Sequence, residues 1–290
     1  MPLPRGLPIV DHHCHLSPSG EGVAAAQRFA SEGGTHLFLA TQNYSGRVPS
    51  SIGDYRLQFE TTSRLAERVR AEAGVVVYSV VAPYPVDLVS LAPTVGIEPA
   101  LDVHREALDL AGRWVREKKA VALGEVGMPH FPVSDEIRRA GETAFDYALG
   151  VAHDVGCPVV VHCADLNAEG YRALAARGVR AGLPVGRIIK HYARSLRPRD
   201  APVAVVPSYL ARRELVAEVL SEEGPWFLET DFLDDPRRPG AVLDLATVPR
   251  RARALAERSP ELVDRLEIPF VSSVEEVYGW RPEIPTKRGT

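Results

Sequence analysis

The sequence predicts a (β/α)₈ TIM barrel. Short β-branched runs alternate with amphipathic stretches along the whole chain of 290 residues, a length that matches a barrel with short decorations. Several runs, such as Val75–Val81 and Val159–Val161, are apolar without alternation. That pattern is typical of strands buried on both faces of a parallel sheet. An open doubly wound sheet is the alternative, but no glycine-rich nucleotide-binding motif follows the first strand.

Strands and helical patterns follow one another from the N-terminus onward. Glycines stand where helices should end, as at Gly74, Gly156 and Gly182. The connection Ala193–Ala201 is too short for a full helix. The predicted strands are Pro8–His15, Thr35–Thr41, Val75–Ala82, Ala120–Val126, Pro158–Cys163, Arg187–Tyr192, Val203–Pro207 and Trp226–Asp231. The predicted helices are Gly22–Ser31, Asp54–Ala73, Asp102–Lys118, Glu136–Asp154, Ala168–Ala181, Ala211–Glu222 and Val248–Arg258.

The domain organisation predicted from this pattern is one barrel followed by a C-terminal extension. The barrel covers residues 1–259. The extension covers residues 260–290, contains Pro269, Pro282 and Pro285, and is expected to pack on the barrel or trail from it.

Composition favours a globular protein that does not clamp long nucleic acid. Hydrophobic residues make up 45% of the chain, charged residues make up 25%, and the net charge is −4. Proteins whose main task is to hold long nucleic acid usually carry a basic footprint. No stretch reaches the roughly 18 consecutive apolar residues that a membrane span requires, so no membrane association is expected.

The cysteine content favours a reducing compartment. Cys14, Cys157 and Cys163 lack the spacing of a disulfide framework, and residues 1–8 have no apolar core of signal-peptide length. We therefore expect a cytoplasmic protein. Abundant arginine and proline with few Asn, Gln and Met are typical of a thermophile or of a GC-rich genome. Nothing in the sequence predicts an oligomer, and nothing excludes one.

The strongest local signal is the run Asp11-His12-His13-Cys14-His15 at the end of the first predicted strand. Residues two apart on a strand point to the same side, so His13 and His15 project together, as a metal-binding pair should. Imidazoles suit zinc, iron, nickel or manganese. By the same alternation, His12 and Cys14 should point away from the pair, and Asp11 should support the ligands without binding a metal itself.

Later strands also end in candidate ligands. Glu125 closes the fourth predicted strand, His162 the fifth, His191 the sixth and Asp231 the eighth. Any one of these could be a buried polar residue with satisfied hydrogen bonds. However, the carboxyl ends of barrel strands meet at one mouth, where barrel active sites are found. Together with the histidine pair of the first strand, they predict one metal centre.

This order of residues resembles that of the TatD-related hydrolases of the amidohydrolase superfamily. The run Asp11–His15 is similar to the family's Asp-x-His-x-His, Gly124–Gly127 to its Gly-Glu-x-Gly, and Glu229–Asp231 to its Glu-Thr-Asp. The resemblance extends from Val10 to Asp231. It implies a (β/α)₈ barrel, metal-dependent hydrolysis and a divergent branch of the family.

The resemblance also implies two divalent metal ions, with Zn²⁺, Mn²⁺ and Mg²⁺ as candidates. Such ions lower the pKa of water toward about 7, which provides a nucleophile at neutral pH. The implied catalytic residues are Asp231 and Glu125. Asp231 would take the proton of the water and deliver it to the leaving group, or would act only as a ligand. One ion would be held by His13, His15, Glu125 and Asp231, and the other by His162 and His191, with Glu125 bridging the two ions.

The chain departs from the family pattern in the predicted substrate mouth. Met128-Pro129-His130 replaces the usual leucine and aspartate, Ala164 stands where an arginine is frequent, and Phe232-Leu233 replaces serine and proline. With the acidic net charge, these changes predict a small-molecule or short nucleic-acid substrate. Lys190, Arg194 and His130 are the candidate substrate contacts, although solvated positions at the rim are the alternative for the two cations.

Three functions therefore remain open at the level of sequence. The first is hydrolysis of a phosphoester, either a small phosphodiester or the end of a nucleic acid. The second is deacylation or amide hydrolysis, because the same kind of site attacks carboxylic esters and amides. The third is a metal-binding module without catalysis. Asp231 speaks against the third, since a purely structural metal site needs no group that transfers protons.

Overall fold

The computed structural model describes residues 6–202, 204–235, 237–238, 242–258 and 260–284. Its centre is a sheet of nine parallel strands in the order β8-β7-β6-β5-β4-β3-β2-β1-β9. The strands are Val10–His15 (β1), His36–Ala40 (β2), Val76–Val81 (β3), Ala122–Gly127 (β4), Val159–His162 (β5), Ile188–Ala193 (β6), Val206–Leu210 (β7), Phe227–Glu229 (β8) and Phe232–Leu233 (β9).

The sheet closes on itself through the last two strands. β8 and β9 belong to one extended segment that is interrupted at Thr230 and Asp231. β8 pairs with β7, whereas β9 pairs with β1 through Cys14 and His15. The Asp231 amide also donates to the carbonyl of His13 at 2.9 Å. The predicted TIM barrel is thus confirmed. The strand predicted at Trp226–Asp231 ends at Glu229, and β9 follows it.

Helices connect most of the strands and cover the outside of the barrel. Their ends follow the local sequence: in α2 the Ser51 hydroxyl accepts from the Asp54 amide at 3.3 Å, and Gly74 ends the helix at φ +67°. The helices are Val23–Ser31 (α1), Ile52–Ala73 (α2), Pro85–Val95 (α3), Ile97–Arg116 (α4), Asp135–Val155 (α5), Ala168–Ala181 (α6), Arg213–Val219 (α7), Thr247–Arg258 (α8) and Ser273–Tyr278 (α9).

Helix α3 and strand β7 differ from the sequence prediction, and α9 and β9 were not predicted. Helix α3 was not predicted, because Pro85 and Pro93 obscure its pattern, although Pro85 occupies the first turn, where a missing N–H costs nothing. The seventh strand was predicted at Val203–Pro207 but lies at Val206–Leu210, and Val203 is outside the described residues. Pro207 does not end this strand, because its neighbours in β6 and β8 hold the ladder beyond it.

An irregularity in β1 overturns the prediction for His12. Asp11 pairs with Leu37 and Cys14 with Leu39, so β1 carries one residue more than β2 between these pairs. In such a bulge two consecutive residues can face the same side. His12 therefore lies inside the barrel, where it stacks on Phe227 with ring centroids 3.8 Å apart, instead of pointing away from His13.

The described part of the C-terminal segment packs against the barrel interior. Phe270, Val274 and Val277 belong to the same buried cluster as interior residues of the strands, such as Val10 and Val160. Since Val277 is 1% and Val274 is 0% exposed, this segment contributes to the core. The boundary predicted at residue 259 stays a prediction, and Pro285 lies outside the described residues.

Candidate metal centre

One cluster of possible metal ligands forms where β1, β4 and β8 end. The Nε2 atom of His13 lies 2.8 Å from Oε1 of Glu125, and Nε2 of His15 lies 3.0 Å from the same oxygen. The Oδ1 atom of Asp231 is 3.7 Å from each of these two nitrogens. Two imidazoles and two carboxylates thus face one point, with one ligand atom of each within 4.8 Å of the others.

A second cluster uses the other oxygen of the same glutamate. The Oε2 atom of Glu125 lies 3.0 Å from Nδ1 of His162 and 3.7 Å from Nε2 of His191. These two nitrogens are 3.1 Å apart. The structure therefore brings together the six residues predicted from the sequence, and Glu125 stands between the two groups. Their roles as ligands and catalytic groups stay predictions.

Backbone irregularities aim these side chains at the centre. Bulges next to active sites commonly redirect a side chain, and here each one falls beside a candidate ligand. Two residues without glycine's freedom, Tyr192 and Asp231, also adopt positive φ values of 56° and 48°. The register shifts lie between Asp11 and Cys14 in β1, between Gly124 and Val126 in β4, and between Lys190 and Ala193 in β6.

A hydrogen bond behind the ring of His15 and a nearby carboxylate behind the ring of His191 hold the two rings toward the centre. Nδ1 of His15 lies 3.3 Å from the carbonyl of Ala40. A carbonyl only accepts, so Nδ1 carries the proton and Nε2 keeps its lone pair for a metal. Nδ1 of His191 lies 3.5 Å from Glu229, whose Oε1 also accepts from the Tyr192 amide at 2.6 Å. Glu229 is completely buried and orients the end of β6.

Asp11 connects β1 to the interrupted strand on its other side. Its Oδ1 accepts from the amides of His13 and Thr230, and its Oδ2 accepts from the Thr230 hydroxyl at 2.6 Å. Burial raises the pKa of Asp11 to about 8, although these hydrogen bonds oppose the shift. Asp11 thus holds His13 and Asp231 in register through the backbone, in agreement with the supporting position expected for it.

The pKa values of the two carboxylates at the centre are shifted in opposite directions. Burial alone would raise the pKa of Glu125, but the imidazoles around it, led by His191, hold this pKa well below the usual value. Burial raises the pKa of Asp231 to about 8, with His15 opposing the shift and Glu125 adding to it. Cations bound here would stabilise the charged form of both carboxylates.

The donor set fits divalent metal ions. Imidazole nitrogens and carboxylate oxygens suit Zn²⁺ and Mn²⁺, and burial lowers the pKa of His191 well below its usual value, which keeps this imidazole neutral and able to coordinate. Candidate sets found among the described residues are His13, His15, Glu125 and Asp231; Glu125, His162 and His191; and His13, His191 and Glu229.

Comparison with known proteins agrees with this geometry. A family model described as TatD related DNase matches residues 10–279. The chain belongs to the TatD-related DNase family. It is 28% identical over 261 residues to the uncharacterized protein MJ1127 of Methanocaldococcus jannaschii, with 89% of this chain and 91% of that protein covered. The family assigned from the sequence motifs is therefore confirmed.

Solved structures of low sequence identity share the fold of this TatD-related protein. YjjV, a TatD homologue from Escherichia coli K12, has a TM-score of 0.59 at 18% identity, with 94% of this chain and 98% of that chain covered. A PTE-like lactonase from Deinococcus radiodurans has a TM-score of 0.59 at 14% identity, with 94% and 96% covered. Family membership and the ligand clusters make the chain a metal-dependent hydrolase.

The centre of the TatD-related protein opens into a cavity of about 1040 Å³. Drug-sized ligands occupy pockets of about 300–1000 Å³, so this cavity has room for a substrate well beyond a single phosphate group. Three arginines of its lining are paired with carboxylates of the same lining: Arg194 with Asp165 at 2.7 Å, and Arg237 and Arg238 with Asp235. Arg47 also lines the cavity, and no ion pair joins it to another residue of the described chain.

The predicted substrate contacts occupy different positions. His130 and Arg194 line the cavity, and Nδ1 of His130 lies 2.9 Å from Nε2 of His162. Lys190 is 1% exposed and does not line the cavity; its ammonium donates to the carbonyl of His191 at 2.5 Å. Because the backbone of its own strand occupies this ammonium, we do not include Lys190 among the substrate contacts.

Two residues near the centre, Tyr84 and Glu229, were not predicted from the sequence. The Tyr84 hydroxyl lies 3.2 Å from Nε2 of His162, and burial raises the pKa of Tyr84 well above its usual value, so the phenol keeps its proton. Glu229 begins the motif Glu229–Asp231 but was not predicted as a site residue. Its position two residues before Asp231 on an apolar strand is the signal that could have identified it. Tyr84 precedes the unpredicted helix α3 and had no such signal.

Within the part of the chain that the structure describes, none of the helices combines the length and the hydropathy that a membrane crossing requires.

Proposed function

We propose that this protein hydrolyses phosphoester bonds, in a small phosphodiester or at the end of a short nucleic acid, with two divalent ions. The proposal rests on the position of the Glu125 carboxylate. One of its oxygens faces His13 and His15, and the other faces His162 and His191. A carboxylate between two groups of imidazoles is the arrangement expected of a bridging ligand. Asp231 would complete the first group.

Bound divalent ions would lower the pKa of water and polarise the scissile ester. The role assigned to Asp231 is to take the proton of the attacking water and to deliver it to the leaving group. Its position supports this assignment, because Oδ1 lies 3.7 Å from the nitrogens of both His13 and His15 and its side chain is 17% exposed toward the cavity.

A phosphoester is favoured over a carboxylic ester by the arginines of the cavity, of which Arg47 is paired with no carboxylate of the described chain. Arg47, Arg194, Arg237 and Arg238 all line it, and a phosphodiester carries a charge that a neutral ester lacks. Arginine also matches the geometry of phosphate oxygens better than any other side chain. The TatD related DNase description of the family supports the same bond type. Arg194 and His130 are the proposed substrate contacts.

The test is metal analysis of the purified protein followed by a panel of chromogenic substrates. Phosphodiesters, phosphomonoesters, carboxylic esters and lactones are each assayed with Mn²⁺, Zn²⁺ or Mg²⁺ added. We expect two ions per chain and the highest kcat/KM for a phosphodiester. A preference for a carboxylic ester or lactone would support the deacylase alternative. Two bound ions without turnover of any substrate would favour a metal-binding module.

A further inference from the structure

One wall of the cavity is built by helices α2 and α3. They contribute the side chains of Gln58, Asp87 and Ser90, and Tyr84, which precedes α3, adjoins them. Gln58 is 7% exposed and Asp87 is 9% exposed, so both are more than nine-tenths buried while they line the cavity. Buried polar groups are ordinarily hydrogen-bonded, and each exception needs an explanation.

The amide of Gln58 has no partner of this kind within the described protein, and its atoms are open to the cavity. No hydrogen bond joins its side chain to another residue of the described chain. Gln42 provides the contrast within the same cavity, because its Nε2 donates to the carbonyl of Leu16 at 3.0 Å. An amide offers two donor hydrogens and an oxygen that accepts two hydrogen bonds. Gln58 therefore presents both kinds of partner to whatever occupies the cavity.

Asp87 extends this polar wall. Tyr55 lies one helical turn before Gln58, on the same face of α2, and its hydroxyl donates to Oδ2 of Asp87 at 3.2 Å. Gln58 therefore lies on the face of α2 that contacts Asp87 through Tyr55, and both residues line the same cavity. Burial raises the pKa of Asp87 to about 7, with the Tyr55 hydrogen bond opposing the shift. A protonated carboxyl both donates and accepts.

The helices bring no positive charge to this wall. The cavity residues from α2 and α3 are Gln58, Asp87 and Ser90, whereas the arginines of the lining come from the loops after β2, β6 and β9. An anionic group would find no opposite charge on the helical wall. The wall therefore suits an uncharged group.

We propose that Gln58 and Asp87 form a subsite for an uncharged group of the substrate that both donates and accepts hydrogen bonds, such as a sugar hydroxyl or the edge of a nucleobase. The subsite rests on the proposed function, since it would hold the organic part of the phosphoester. Gln58 is a specificity-determining residue in this arrangement, and Ser90 stands on the same helix as Asp87.

Gln58→Met is the variant that tests the subsite. Methionine has nearly the shape and helix propensity of glutamine but no amide. Binding of thymidine to the metal-loaded enzyme is measured by calorimetry. In parallel, kcat/KM is measured for p-nitrophenyl methyl phosphate and for the p-nitrophenyl ester of thymidine 5′-phosphate. We expect about fivefold to tenfold weaker binding of thymidine and a similar loss for the thymidine ester, the effect of one hydrogen bond. The methyl ester should be unaffected.

Gln27→Met is the matched control, because Gln27 is exposed on α1 and lies outside the cavity. Gln58→Asn keeps the amide but withdraws it by one methylene. We expect this variant, too, to bind thymidine more weakly and to lose activity on the thymidine ester. Equal losses for both esters, or unchanged thymidine binding, would overturn the subsite. Thymidine binding that depends on Gln58 in an enzyme that cleaves neither phosphodiester would sustain the subsite and refute phosphoester hydrolysis.

Discussion

The imidazole of His12 lies 2.9 Å from the hydroxyl of Tyr278, a residue 266 positions later in the chain. His12 is 1% exposed and stacked on Phe227, and Tyr278 is partly buried against the same hydrophobic cluster. The bond joins α9, in the C-terminal segment, to the bulge of β1 that sends His13 toward the metal centre. The last described helix thus stabilises the strand that carries the first candidate ligands.

Tyr278→Phe should destabilise the protein by about 1–3 kcal/mol, because the buried Nε2 of His12 loses its partner while the aromatic packing remains. Urea unfolding of the metal-free protein measures the effect. Tyr147→Phe is the control, since the Tyr147 hydroxyl bonds Asp109 on the exposed surface. If Tyr278→Phe lowers the free energy of unfolding no more than the control does, the contact with His12 does not stabilise the protein.

Asp231→Asn should lower kcat about 10²–10⁴-fold, because an amide can still coordinate a metal but cannot accept a proton. Metal content should remain at one ion or more per chain. Asp102→Asn, on the exposed side of α4, is the control and should leave turnover unchanged. Near-wild-type activity of the Asp231 variant would remove this residue from the catalytic role.

Metal stoichiometry should respond differently to the two clusters. His162→Ala should reduce the content from two ions toward one, because only the second cluster uses this ring, whereas Glu125→Ala should impair both sites. Elemental analysis after dialysis gives the numbers, with His153→Ala on the exposed face of α5 as the control. Equal losses for the two variants would argue against Glu125 as a bridge.

The arginines of the cavity should affect the binding of charged substrates only. Arg47→Ala and Arg194→Ala are expected to raise KM for a phosphodiester severalfold and to leave KM for a neutral carboxylic ester unchanged. Arg64→Ala, on the surface of α2 outside the cavity, is the control. Lys190→Glu should instead impair folding, because it places an unpaired charge in a position only 1% exposed.

Stability should fall with decreasing pH because of His104. Burial lowers the pKa of this residue to about 4, below the unfolded value of about 6.5, so the unfolded chain binds the proton first. The stability is present above pH 6.5 and is lost as the pH falls toward 4, by up to about 3 kcal/mol. In urea titrations of metal-free protein, His104→Leu should show a smaller loss than wild type over this interval. If the free energy of unfolding falls equally with pH in His104→Leu and in the wild type, His104 is not the cause of the loss.

The sequence by itself determined the barrel, the family and the six residues at the strand ends. Apolar runs without alternation predict strands buried on both faces, and the end of a strand is a local feature that needs no knowledge of its neighbours. His13 and His15, two apart before a helix-forming stretch, and Glu125 after Leu123-Gly124 could therefore be placed without tertiary information. The C-terminal ends of parallel strands then converge of necessity.

Only the tertiary structure decided where individual side chains point. The direction of His12 depends on a bulge, and a bulge is a relation of register between β1 and β2, not a property of either sequence. Lys190 looked like a rim cation but is held by backbone carbonyls at the irregular end of β6. Gln58 and Asp87 come from helices whose packing brings them to one wall of the cavity. The physical reason is the same for His12, Lys190, Gln58 and Asp87. Hydrogen bonds and packing between segments distant in the chain set the directions of these side chains, and such contacts cannot be predicted from local periodicity.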